Sequence, residues 1–167
     1  SLTFGSVDHY IYQLDVTAGH LMWQTKLGDT IVGSPMLSRD TAKIFVGSSD
    51  TYMHCLDGKT GKLLWRAETG ETNETANVVW STPALSPKQD TLYFGAYTGK
   101  IYAVNTNTGH QHWNFSATFG VHGGVAVIGA GSNESDPIIV FGSIDYSVRA
   151  GRSGSLLWQF STGDLVL

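Results

Sequence analysis

Short apolar runs separated by polar clusters cover the whole chain, and their internal alternation has the period of a β-strand. In Gly47 to Trp65, GSSDTYMHCLDGKTGKLLW, Met53 and Cys55 fall on one side of such a strand and His54 and Leu56 on the other. The same positions hold Ile11 and Gln13 against Tyr12 and Leu14, and Ile101 and Ala103 against Tyr102 and Val104. Both sides carry large or apolar residues, so the strand is predicted to be covered on both faces. An acidic or amide residue follows (Asp15, Asp57, Asn105), then a short polar run and a glycine (Gly19, Gly61, Gly109) four residues before a tryptophan. The Asx side chain bonds nearby amides and glycine accepts a positive φ, so a hairpin is expected, with the tryptophan on the returning strand. Further apolar runs precede the unit: Leu2-Thr3-Phe4, Lys43 to Val46, Thr91 to Phe94 and Ile138 to Phe141. Earlier still lie Gly33-Ser34-Pro35-Met36-Leu37, Ser81-Thr82-Pro83-Ala84-Leu85 and Gly123-Gly124-Val125-Ala126-Val127. Proline suits the start or edge of a strand, so each period holds four strands, A innermost and D outermost.

The unit recurs from Gly5 to Trp23 and from Gly95 to Trp113, and in a copy two residues shorter from Gly142 to Trp158. Successive glycines lie 42, 48 and 47 residues apart, a period that predicts one propeller blade per repeat. The expected fold is an all-β propeller of four-stranded antiparallel blades, about four of them, in one domain over 1–167. The repeat units run approximately 2–27, 28–69, 70–117 and 118–161, with 162–167 starting another strand. The fourth should be the least regular, because Ser147 to Arg152 lacks the Leu-Asp pair and its hairpin is short. Blade one begins at its B strand, which leaves two readings: a four-bladed ring closed by pairing Asp164 to Leu167 with Leu2 to Phe4, or part of a larger propeller. We favour the larger propeller, whose open blade edges would allow self-association.

The pattern Gly-Ser-x-Asp-x-x-hydrophobic-x-x-Leu-Asp-x-x-Thr-Gly-x-x-x-Trp resembles the repeat of the pyrroloquinoline-quinone-like β-propellers. That superfamily includes quinoprotein alcohol dehydrogenases, a lipoprotein of the bacterial outer-membrane assembly machinery, and eukaryotic proteins with an appended propeller. The resemblance implies that Trp23, Trp65, Trp113 and Trp158 dock between blades. It also raises a quinone-dependent dehydrogenase, whose relatives hold the quinone through calcium, use a catalytic aspartate and commonly carry a disulfide of adjacent cysteines. This chain has Cys55 alone and no identifiable carboxylate and amide cluster. No cofactor is therefore expected, with quinone and calcium entering only if the chain is a segment of such an enzyme.

Composition narrows the picture. Charged residues make up 14% of the chain and hydrophobic ones 41%, as expected where many strands are covered on both faces. A net charge of −4 with scattered basic residues offers no phosphate-binding stripe, which argues against nucleic acid. No apolar run is long enough to span a membrane. Sequons at Asn73, Asn114 and Asn133 suit a secreted or luminal protein, and a secreted, luminal or periplasmic compartment is favoured. No nucleophile elbow or phosphate loop occurs, and Cys55 reads as a small core residue.

Strand polarity puts the B-to-C turns and D-to-A connections on one face. That face gathers Asp8, Asp50, Thr98 and Asp145 in equivalent turns, His9, Glu68, Glu71 and Glu74, and Trp80, the one tryptophan outside the repeat register. Asp8, Asp50 and Asp145 either cap their turns or form a cation-binding ring. Trp80 either packs or stacks on a ligand, and His122, at the entrance of the last strand A, either packs or lines the channel mouth. His20, His110 and His112 suit a solvated hairpin better than a metal site, for want of further ligands. The expected function is a non-catalytic binding or scaffold module, presenting this face and the channel mouth to a protein partner or small ligand. The alternatives are a dehydrogenase segment and an accessory propeller of a larger enzyme or receptor.

Overall fold

The computed structural model describes residues 1–69, 78–116, 119–129 and 136–166. They form fifteen strands in four antiparallel sheets, with no helix among the described residues. Blade one has three strands, β1 (Leu2–Gly5), β2 (Tyr10–Leu14) and β3 (Leu21–Lys26). Blade two has β4 (Met36–Leu37), β5 (Lys43–Gly47), β6 (Tyr52–Asp57) and β7 (Leu63–Glu68). Blade three has β8 (Ala84–Leu85), β9 (Thr91–Gly95), β10 (Lys100–Asn105) and β11 (Gln111–Ser116). Blade four has β12 (Val125–Ile128), β13 (Ile138–Ser143), β14 (Ser147–Arg152) and β15 (Ser155–Ser161). Each sheet is a meander in chain order, so strand A lies at one edge and the tryptophan-bearing strand D at the other.

The outer hairpins close as the Asx-to-glycine spacing requires. Asp57 Oδ1 accepts the amides of Lys59 and Thr60 at 3.1 and 2.8 Å, and Gly61 donates to the Asp57 carbonyl at φ 69°. Asp15 and Asn105 repeat the arrangement with Gly19 and Gly109. The fourth blade has strands as long as any, with a register shift at Ala150/Gly151 between β14 and β15, and its outer hairpin is the one built differently among the four described. Its shorter hairpin is a two-residue turn, Ser153-Gly154, with φ 49° and 76°. Two positive φ values match the twist of the flanking strands, so nothing is lost with the missing residues.

The core lies between blades. Ile11, Trp23, Ile44, Val46 and Leu56 join blades one and two; Phe45, Met53, Cys55, Leu92, Phe94 and Val104 join two and three; Tyr93, Ile101, Ile139 and Phe141 join three and four. Trp23, Trp65 and Trp113 lie on the outer hairpin of the next blade, where a Cβ on Gly61, Gly109 or Gly154 would meet the tryptophan at 2.5, 2.7 and 3.5 Å. Trp158 is 47% exposed, and among the described residues no further sheet lies beyond blade four. Val166 sits on Gly142 as Ile31 sits on Gly5, Val79 on Gly47 and Val121 on Gly95. Val166 thus takes the place that Ile31, Val79 and Val121 hold in the earlier repeats, and among the described residues β1 has β2 as its sole strand neighbour.

Candidate functional site

The B-to-C turns are built alike. His9, Thr51, Gly99 and Tyr146 occupy the left-handed region (φ 77°, 73°, 81° and 62°), a conformation that non-glycine residues hold only with support. The preceding aspartate supplies it. Asp8 Oδ1 accepts the amide of Tyr10 at 3.0 Å and Asp50 Oδ1 that of Tyr52 at 3.1 Å, while the third turn uses Gly99 instead. The second carboxylate oxygen goes to the residue four positions on. Tyr12 donates to Asp8 at 2.6 Å, His54 Nε2 lies 2.9 Å from Asp50, and Arg149 donates to both oxygens of Asp145. Gly28, from the connection leaving blade one, also donates to Asp50 at 3.0 Å.

These bonds hold the carboxyls of Asp8, Asp50 and Asp145 below the usual range. For Asp8 the Tyr12 hydroxyl is the main cause. For Asp50 and Asp145 burial pushes the other way, and hydrogen bonds from His54 and Arg149, with their charges and backbone or serine donors, overcome it. The three aspartates are thus each tied into their own turn, and among the described residues no three His, Cys, Asp or Glu side chains gather as a metal site. His9 lies 3.9 Å from Asp29, and Glu68 ends β7 in solvent. Glu71 and Glu74, with the sequons at Asn73 and Asn133, lie outside the described residues; Asn114 is exposed on β11.

Trp80 and His122 do come together. Each follows the valine that seals a turn glycine, Val79 or Val121, so the repeat places them at equivalent points on the inner edge of neighbouring blades. Their rings are 4.9 Å apart, edge to face. Tyr97, in the B-to-C turn of blade three, completes the cluster at 5.5 Å from both. Trp80 is anchored by its Nε1–H to Ser49 Oγ at 2.8 Å, and its carbonyl packs on Gly33, where a Cβ would come within 2.6 Å. Amide bonds from Ser49 to Thr30, Tyr97 to Val78 and Ile144 to Gly120 stitch each turn to the adjoining connection. Blades two, three and four thereby hold an aromatic cluster in which Trp80 and His122 are half-buried and Tyr97 is exposed.

Sequence reasoning missed Tyr97. Its position holds Val7, Ser49 and Ile144 in the other blades, so the repeat carries no signal for an aromatic there. On the opposite face a cavity of about 320 Å³ has a mixed lining, with Met36, Leu37, Leu85 and Val127 beside Arg39, Ser86 and Gln89.

No curated protein matches the chain. Among solved structures it is similar to BamB from Moraxella catarrhalis, with TM-score 0.72 and 17% identity over 95% of this chain and 44% of that one. It is also similar to the computationally designed Ika8 protein, with TM-score 0.74 and 16% identity over 98% of this chain and 46% of that one. The chain thus spans a little less than half the length of either, and at these identities the likeness concerns fold. The family described as outer membrane protein assembly factor BamB matches residues 6–164, which take in all four blades from the first turn onward. The chain accordingly belongs to that family of propellers with pyrroloquinoline-quinone-like repeats.

Proposed function

We propose that this chain is a non-catalytic binding module that engages a protein partner through the turn face, with Trp80, Tyr97 and His122 as the anchor. The observation that carries the reading is the convergence of three aromatic rings from three separate connections. Accessible aromatics held in place by their neighbours are the groups that dominate protein interfaces, since they offer large contact area at little entropic cost. The family supports a scaffold role, since it is named for an assembly factor.

The test is selection of peptides from a displayed library on the immobilised chain, followed by titration of the selected peptides. Trp80→Ala and Tyr97→Ala each weaken binding by about 30-fold, the effect of losing a hot-spot aromatic. Arg39→Ala, on the opposite face, leaves it unchanged. Binders that are insensitive to both aromatic substitutions sink the assignment. The absence of catalysis has its own check: with added pyrroloquinoline quinone and calcium, a dye-linked assay on alcohols and sugars stays at background. Calcium-dependent turnover restores the dehydrogenase reading.

A further inference from the structure

The two loop faces differ in charge. Among the described residues, the B-to-C turns and D-to-A connections hold aspartates and no lysine or arginine. The A-to-B loops of the opposite face mix both signs, with Arg39 beside Asp40 and Lys88 close to Asp90 in the chain. Lys26 and Lys100 stand at strand ends that border the turn face, and Lys26 lies over the ring of Tyr10. Asp145 is neutralised by Arg149, whereas Asp29 keeps a carboxylate that is 49% exposed, with the Thr30 amide donating to it at 2.7 Å.

Asp29 and Asp50 adjoin the tether of the aromatic cluster. The Nε1–H of Trp80 donates to Ser49 Oγ, which lies 2.7 Å from Thr30 Oγ1, and the amide of Ser49 donates to the Thr30 carbonyl. Asp50 follows Ser49 and Asp29 precedes Thr30, so negative charge flanks the cluster on its blade-two side. The rings favour the same kind of ligand. Their planes are inclined to one another by 56°, 67° and 76°, and the face of an aromatic ring carries the negative end of its quadrupole. The chain makes such contacts itself, with Lys26 5.9 Å from the Tyr10 centroid and Arg66 4.4 Å from that of Tyr52. Over Trp80 and Tyr97 no lysine or arginine lies among the described residues, and Tyr97 is 37% exposed.

We infer that the partner of the turn face is a basic peptide segment, one arginine of which stacks on Tyr97 beside Trp80 with Asp29 as the carboxylate on its flank. The inference rests on the turn-face reading above and adds the chemistry of the partner. Arginine fits because its planar guanidinium lies on a ring while its donors still reach an acid. The site spans the connection from blade one to blade two, the next two connections and the turns of blades two and three, and uses no residue of the outward sides of the first or last blade.

The test starts from peptides selected on the immobilised 167-residue chain whose binding falls with Tyr97→Ala. Each carries an arginine whose replacement by citrulline, which keeps the shape and removes the charge, weakens binding about 10-fold. Asp29→Asn keeps an acceptor for the Thr30 amide and weakens binding about threefold, while Asp40→Asn, on the opposite face, leaves it unchanged. Raising sodium chloride from about 0.05 to about 0.5 M weakens binding several-fold. The citrulline arm alters the peptide alone, so no variant has to fold for it to be read. Peptides that depend on Tyr97 but hold no arginine or lysine, or that bind equally well as citrulline forms, overturn the basic partner and leave the turn-face reading standing. A citrulline effect of the same size in the native chain and in Asp29→Asn overturns the pairing with Asp29. A library without binders, or binders indifferent to both aromatic substitutions, sinks this inference and the turn-face reading together.

Discussion

Replacing Trp65 with alanine lowers the unfolding free energy by about 3–5 kcal/mol, the range for deleting a large aromatic from a core contact, here a partly buried ring packed on the core between blades two and three. The ring lies over Gly109 of the next blade, 5.9 Å from the ring of Phe45, and its Nε1–H donates to the Thr106 carbonyl at 3.1 Å. Truncation opens a void at the contact between blades two and three and removes the indole bond, leaving Lys43 Nζ at 3.3 Å as that carbonyl's side-chain donor, so packing and one hydrogen bond are lost together. Urea denaturation followed by circular dichroism measures the change. A loss below about 1 kcal/mol removes the docking role from this residue.

Asp145→Ala costs about 3–5 kcal/mol, because it strands a cation in the interior. Arg149 is 3% exposed, and its guanidinium is held by both oxygens of Asp145 and by Gln159 Oε1. The pH dependence has a definite sign. Since the Asp145 carboxyl titrates lower in the folded chain than its ordinary 3.8, the unfolded chain takes up the proton first as pH falls. The stabilisation is complete above about pH 4 and is lost as pH drops through the folded value. Melting temperatures between pH 2 and 7 therefore fall at the acid end in the native chain, with a shallower fall in the variant. Equal acid slopes in the two remove Asp145 as the group responsible.

The fold was legible because its markers are backbone requirements. The hairpin glycines need a positive φ, the turn glycines need a bare Cα under Ile31, Val79, Val121 and Val166, and the Asx residues bond fixed amides. The glycines recur with every blade and the Asx residue with the first three, so they stand out at a fixed period. The exposure of Trp158 was not legible for the opposite reason. Its sequence context matches that of Trp65, and its burial depends on which sheet stands beside it rather than on its own repeat.

The candidate site was half legible. Trp80 stood out as a tryptophan off the repeat register, and His122 by its place at the entrance of a strand A, but their contact depends on curvature between blades. Tyr97 joins them from a turn where no residue type is required. The aspartates were legible as turn residues. Their partners four positions on, Tyr12, His54 and Arg149, differ in type, so the shared arrangement emerges only when the strands are in place.

Cys55 is the one thiol in the chain, and it is fully buried between blades two and three, in ladder register with both Phe45 and Trp65. Burial pushes its pKa up to about 12, so at neutral pH it is neither ionised nor reachable by an alkylating reagent. Each labelling event therefore records one parting of two blades, and the chain carries its own clock for that motion. Where opening is fast relative to alkylation, the labelling rate scales with the fraction of time the blades are apart. The Trp65→Ala substitution then speeds the clock between about a hundredfold and a few thousandfold.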